Sequence, residues 1–254
     1  GAVVIHRERR EEAGRDDVAL ESWITTQERR EDGRQDHEYQ DQGADEIVFL
    51  DVNASVSGQK TLHAAVQKTA ENLFIPLTVG GGIRSFEDVR KTLKAGADKT
   101  SINSAAVQDP SLLTRCSDAF GSQCVVIAID AKRKGESWEV YTYSGTKATG
   151  LDTIEWSKEA CERGAGEILL TSMDADGTKT GYDIELTRAV VDAVNVPVIA
   201  SGGCGKIEDI VEVLTTGRAD AALAASIFHY GEHTVADVKK ILESKGVPIR
   251  KDVM

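Results

Sequence analysis

The sequence predicts an α/β protein, a (β/α)8 barrel assembled from two half-barrels. Two observations carry that reading. Apolar runs of strand length alternate with segments of helical spacing from about residue 45 to the end. The chain also repeats itself at an offset of 121 residues, nearly half its length. Alternating strand and helix implies βα units around a parallel sheet, and a repeat of half the chain implies two sets of four units.

The strands are read in order as "EIVFLD" (46–51), "IPLTVGGG" (75–82), "ADKTSIN" (97–103), "CVVIAID" (124–130), "EILLTS" (167–172), "VPVIASGG" (196–203) and "ADAALAAS" (219–226). Several are apolar nearly throughout, which suits a parallel sheet covered on both faces. Between them, Phe86, Val89 and Leu93 fall at i, i+3, i+7, as do Ile207, Ile210 and Leu214, the spacing of one helix face. Thr234 with Asp237 three residues on resembles a capping box. Val235, Val238, Ile241 and Leu242 give that helix its inner face, and Gly246 stops it. Seven strands, with one wanting at the front, suggest a closed eight-stranded barrel; an open doubly wound sheet is the alternative.

The repeat aligns "GGIRSFEDV" (81–89) with "GGCGKIEDI" (202–210), and "AGADKTSINSAAV" (95–107) with "GRADAALAASIF" (217–228). Any two βα units can share a glycine and an acidic helix start, but two blocks in register argue for a true repeat. "CVVIAID" then opens the second half, and its counterpart should lie near residues 4–11 and end in a carboxylate. What stands there is "VIHRERRE".

Composition limits the function. At 254 residues the chain can bury a core without staples. Its net charge of −12 argues against nucleic acid, whose phosphates need a basic surface. A small phosphorylated molecule remains open, because a few backbone N–H groups can hold it. Cys116, Cys124, Cys161 and Cys204 are widely spaced without a C-x-x-C, which suits free thiols in a reducing cytoplasm. No run approaches the ~18–20 apolar residues of a membrane helix, and the start lacks an apolar core of signal-peptide length.

Parallel barrels place chemistry at the C-terminal ends of their strands. Two clusters there resemble phosphate cradles. Gly82 with Asn103 and Ser104 form one; Asp176, Gly177, Gly203, Ala225 and Ser226 form the other. Glycines let backbone N–H groups approach an anion, although a single Gly-Gly can equally serve a tight turn. Two symmetry-related cradles suggest a substrate with a phosphate at each end. Asp130 closes an apolar strand, where a carboxylate is costly unless paired or useful, and is the candidate general acid or base; capping the next loop is its bland alternative. Asp51 sits alike on the first clear strand. Thr171 and Ser201 are placed to orient a substrate. His229 and His233 have the i, i+4 spacing of a helical metal site, but Gly231 lies between them and no carboxylate motif accompanies them, so neither metal nor cofactor is expected.

The motifs "GADEIVFLDVNAS", "PLTVGGGIRSFEDVRKTLKAGADKTSINSAAV", "GSQCVVIAIDAKR", "YTYSGTKATGLD", "GAGEILLTSMDADGTKTGYD", "PVIASGGCGKIEDI" and "ADAALAASIFHYGE" closely resemble the cyclase subunit of imidazole glycerol phosphate synthase, from about residue 43 to 250. The isomerase of the same pathway shares fold and cradles, but "DAKR", "YTYSGTKATG" and "DADGTKTGYD" are closer to the cyclase. The resemblance implies ammonia and a bisphosphorylated aminoimidazole-carboxamide ribonucleotide as substrates. It implies imidazole glycerol phosphate and an aminoimidazole ribotide as products, and a glutaminase partner docked on the barrel's N-terminal face. By the same resemblance Asp130 is one of two catalytic aspartates, the two cradles hold phosphate, and Ser144 joins Asp51, Thr171 and Ser201 in orienting the substrate. Glu46, Lys99 and Glu167 match a charged ammonia gate and Asp98 an interface residue; an ordinary ion network is the alternative for these four.

The front departs from that family. A strand ending Cys-Leu-Asp near residue 11, carrying the second aspartate, is missing, as is a gate Arg near position 5. Residues 1–43 hold seven Arg, no Lys and twelve acids, whereas the rest holds eight Arg and fifteen Lys. So abrupt a change at a motif boundary reads as a frame error in the encoding DNA; the motif should then stand in another reading frame. Alternatively "AVVI" (2–5) pairs as a short first strand, with Glu8 or Glu11 offering the carboxylate. Residues 6–42 are otherwise expected to be mobile or loosely helical. The expectation is thus one barrel over 1–254 with an atypical leader, acting as the cyclase, if impaired. The alternatives are the isomerase and a non-catalytic barrel that binds phosphate.

Overall fold

In the structure, a computed structural model, residues 2–7, 34–50, 58–229 and 233–250 are described. The elements run β1 (Ala2–His6), α1 (Arg34–Asp41), β2 (Ile47–Leu50), α2 (Gly58–Ala70), β3 (Leu77–Gly80), α3 (Phe86–Lys94), β4 (Lys99–Ile102), α4 (Ser104–Gln108), α5 (Ser111–Phe120), β5 (Val125–Lys134), β6 (Ser137–Thr142) and β7 (Lys147–Asp152). They continue with α6 (Thr153–Glu162), β8 (Glu167–Ser172), α7 (Ile184–Ala193), β9 (Val198–Ser201), α8 (Ile207–Thr215), β10 (Ala221–Ala224), α9 (Ser226–His229) and α10 (Val235–Ser244).

The sheet closes on itself. Neighbouring strands pair in the ring β1-β2-β3-β4-β5-β8-β9-β10, and β10 returns to β1. All seven strands read from the sequence take their places in it. The parallel strands are buried on both faces. Ala2, Val48, Val126, Leu169, Ile199, Ala221 and Leu223 meet inside the ring. The opposite faces pack on the helices in three further clusters.

The helices begin where their caps dictate. Ser85 Oγ accepts the Asp88 N–H at the start of α3. Thr234 and Asp237 form the expected capping box at α10, whose Val235, Val238 and Leu242 are fully buried. The repeat also holds in three dimensions. Asp88 accepts the Arg84 N–H at 3.1 Å, and its counterpart Asp209 accepts those of Gly205 and Lys206 at 2.9 and 3.0 Å.

The front of the chain brings a correction. "AVVI" does form the eighth strand, but it runs against its neighbours: β1 pairs antiparallel with both β10 and β2. Val3 pairs with Ala224 at the C-terminal end of β10, while His6 pairs with Ala221 at its N-terminal end. The Arg7 N–H donates to the Asp220 carbonyl at 2.9 Å, so β1 hands the chain on at the face opposite Asp130. Within the leader, residues 34–41 form helix α1, with Tyr39 in the same buried cluster as Ile5, Ile210 and Val238. Residues 8–33, with Glu8 and Glu11, lie outside the described residues.

A second difference is the hairpin β6–β7, which extends β5 antiparallel beyond Asp130. Trp138 fastens it: Arg133 stacks 4.5 Å from its ring, and its Nε1–H donates to Asp183 Oδ2 at 3.2 Å.

Candidate active site

Register alone sets three polar side chains side by side. Asp130 pairs with Thr171, and Thr171 with Ser201. Paired residues of adjacent strands share a sheet face, and by alternation this one is the barrel interior, continuing Val126, Leu169 and Ile199. The three therefore line the mouth at the C-terminal ends of β5, β8 and β9.

Asp130 is the strained member of this row in the electrostatic sense. Burial pushes its carboxyl up from 3.8 to about 6, and the negative charge of Asp176 adds to the effect. Asn103 Nδ2 donates to it at 3.0 Å, and the Gly145 N–H lies toward it; both partly offset the rise. A carboxyl poised near neutrality at a barrel mouth can both give and take a proton.

The first cradle lies beside it. Asn103 is the N-cap of α4 and Ser104 its first residue. Both are half-buried, as is Gly82 in the turn after β3. Asn103 Oδ1 is buried with no partner, which leaves an acceptor aimed at nothing in the protein.

The second cradle is formed where the loop after β8 meets the turn after β9. Gly203 has φ +104°, and a Cβ there would stand 2.1 Å from the Gly181 carbonyl oxygen, so only glycine fits. The Gly181 N–H donates to the Gly203 carbonyl at 2.9 Å. Asp176 and Gly177 are exposed at the rim, Ala225 is half-buried, and Ser226 opens α9. The side chains of Ser226 and His229 are outside the described residues, as is Asp51 altogether. Among the described residues no three His, Cys, Asp or Glu come together as a metal site, and no helix is long and apolar enough to cross a membrane.

At the other end of the barrel the three gate candidates meet. Lys99 Nζ contacts Glu46 Oε2 at 2.7 Å and Glu167 Oε2 at 3.1 Å, and Thr78 Oγ1 donates to Glu46 Oε1 at 2.9 Å. Burial raises the Glu167 carboxyl despite Lys99, and the Asp220 charge raises it further. Val126 pairs with Glu167 and lies four residues before Asp130, so the cluster and the mouth are about 13 Å apart along the strand. Asp98 does not join this cluster; its carboxylate accepts the Leu77 N–H at 2.8 Å. Ile5, near the position of the family's gate Arg, packs outward against the helices.

The sequence reading missed the hairpin turn at 143–146. Ser144 is exposed there at φ 54°, next to Tyr143 at φ 53° and Gly145 at φ 75°. The signal was available: "SG" between "WEVYT" and "KATGLD" marks a turn between two strands.

Fold and mouth together define a (β/α)8-barrel enzyme. A profile of the family described as "Histidine biosynthesis protein" matches residues 26–234. Two proteins from Dehalococcoides mccartyi strains BAV1 and CBDB1, each named imidazole glycerol phosphate synthase subunit HisF, are 58% identical over 212 residues, 84% of this chain and 84% of each relative. Their counterpart from strain 195 is 57% identical over the same length. The chain belongs to the HisF family of histidine biosynthesis, the cyclase subunits of imidazole glycerol phosphate synthase.

Proposed function

We propose that the chain folds as one barrel and carries the ring-forming reaction in its mouth. Ammonia and a bisphosphorylated aminoimidazole-carboxamide ribonucleotide would give imidazole glycerol phosphate and the aminoimidazole ribotide. The observation that carries this reading is Asp130, a carboxyl in the mouth beside Thr171 and Ser201 that accepts from Asn103 Nδ2 at 3.0 Å. Gly82, Asn103 and Ser104 would hold one phosphate of the substrate. Asp176, Gly177, Gly203, Ala225 and Ser226 would hold the other. Thr171, Ser201 and Ser144 would orient the body between them, with Asp51 assigned by resemblance. Ammonia would come from a glutaminase subunit on the N-terminal face, past Glu46, Lys99 and Glu167.

The reversed β1 bears on the rate. Strand β1, Ala2–His6, holds no carboxylate, so β1 itself brings none to face Asp130. Loss of one member of an acid–base pair lowers turnover by about 10²–10⁴-fold, and a slow cyclase is the expected outcome. The test is ammonia-dependent turnover of the purified chain with the ribonucleotide and excess ammonium salt at alkaline pH. Free ammonia bypasses both partner and gate. Slow turnover abolished by Asp130→Asn supports the reading; a folded chain that binds the substrate without any turnover reduces it to a phosphate-binding barrel.

A further inference from the structure

The turn between β6 and β7 reaches back over the mouth. The Tyr143 N–H donates to Ser104 Oγ at 3.0 Å. Two residues on, the Gly145 N–H lies toward Asp130 and favours its ionised form. The turn does so in an unfavourable conformation: Tyr143, Ser144 and Gly145 all lie in the left-handed region, at φ 53°, 54° and 75°. For Tyr143 and Ser144 that region is disfavoured by their Cβ atoms. Something must hold them there. Gln108 Nε2 donates to the Tyr143 hydroxyl at 2.5 Å, and within the turn Thr146 Oγ1 donates to the Tyr143 carbonyl at 2.7 Å. Lys147 Nζ stands 5.7 Å from the Tyr143 ring centroid. Gly145 itself closes on Met173, where a Cβ would meet Cε at 2.1 Å. Tyr143 thus grips α4 at both ends, Ser104 at its start and Gln108 at its finish, although its side chain is 51% exposed.

The consequence lies in the direction of one proton. A serine hydroxyl has one hydrogen to give and lone pairs to accept with. With a backbone N–H already donated to Ser104 Oγ, the hydroxyl proton is left for another acceptor. A phosphate oxygen needs a donor of that kind.

We infer that Tyr143 is a positioning residue: its backbone N–H turns Ser104 into a donor toward phosphate, while its hydroxyl, anchored by Gln108, holds the turn over the mouth. The inference rests on the proposed phosphate role of Ser104 and names the element that prepares it. Opening the turn would loosen the contact with Ser104.

Titration of the full chain with inorganic phosphate, followed by calorimetry, tests this with Tyr143→Phe, Gln108→Met, Ser104→Ala and the double variant Tyr143→Phe/Ser104→Ala. Loss of one such hydrogen bond corresponds to about fivefold in affinity. Tyr143→Phe and Gln108→Met are each expected to weaken phosphate by about that factor with an unchanged melting temperature. The double variant should be no weaker than Ser104→Ala alone, because both act through one hydroxyl. Where turnover is measurable, KM should rise by about the same factor with kcat little changed, since Asp130 keeps its Asn103 donor. Wild-type affinity in both Tyr143→Phe and Gln108→Met, with Ser104→Ala weakened, would overturn the inference and leave the cyclase reading standing. Additive losses in the double variant would overturn it as well. A wild-type chain that bound no phosphate would take down both.

Discussion

Asp98 and Asp220 make the same two-point contact in the two halves of the barrel. The Asp98 N–H donates to the Leu77 carbonyl at 2.8 Å and its carboxylate accepts the Leu77 N–H at 2.8 Å. Asp220 does the same to Val198, at 3.0 and 2.9 Å. Each clamp ties the entry of one strand to that of the strand before it. Asp220 is buried and Asp98 exposed. A buried N–H left without its acceptor costs about 1–3 kcal/mol. Asp220→Ala is therefore expected to lose that much in urea unfolding, and Asp98→Ala less, since water can replace the lost acceptor there.

The charge cluster of Lys99 should respond asymmetrically. Glu46 and Glu167 expose 0% and 8% of their side chains, and both lean on one ammonium. Removing one partner from a buried ion pair costs about 3–5 kcal/mol, because a buried charge is left behind. Lys99→Met should fall in that range, and adding Glu167→Gln should restore part of it. Equal stability of both variants and the wild type would show that the cluster is solvated.

Asp130 is a case in which function and stability oppose each other. Its carboxyl titrates near 3.8 unfolded and about 6 folded, so between those values the native state holds more proton than the unfolded one. Stability therefore falls as pH rises through that window and levels off above it, by roughly 3 kcal/mol at most. Asp130→Asn removes the ionised form and is expected to be more stable than wild type at pH 8, with the difference vanishing below about pH 4. The same substitution should abolish ammonia-dependent turnover. A thermal melt at the two pH values, set beside the assay, checks both halves.

Gly203→Ala probes the second cradle. The left-handed backbone and the Gly181 carbonyl 2.1 Å from any Cβ force the loop after β8 away. The expected cost is more than about 1 kcal/mol, together with a weaker grip on inorganic phosphate.

The packing of the first strand is tested through Ile5, fully buried in one cluster with Ile207, Ile210, Val213 and Val238. Truncating a buried Ile to Ala costs about 2–5 kcal/mol. Ile5→Ala within that range would place β1 in the closed ring; a loss under 0.5 kcal/mol would mean that the strand is not packed there.

Much of this was legible in the chain. Seven strands follow from apolar runs, because a strand covered on both faces must be apolar along its length. The repeat of Gly-Gly and Glu-Asp foretold equivalent turns and caps, since those depend on a few neighbouring residues. Asp130 was legible because a carboxylate closing such a strand is costly without a use. The β6–β7 hairpin was not read, although its turn signal was present. Its importance lies in long-range contacts from Tyr143 to Ser104 and Gln108 that no local pattern encodes.

The sequence by itself determined the strand–helix alternation, the two-fold repeat and the residues that end each strand. The tertiary structure alone decided which way "AVVI" runs. A short apolar stretch buries equally well in either direction, since burial depends on which side chains alternate and not on the sense of the backbone. Only pairing with β10 and β2 fixes that sense, and with it which end of the strand faces the mouth.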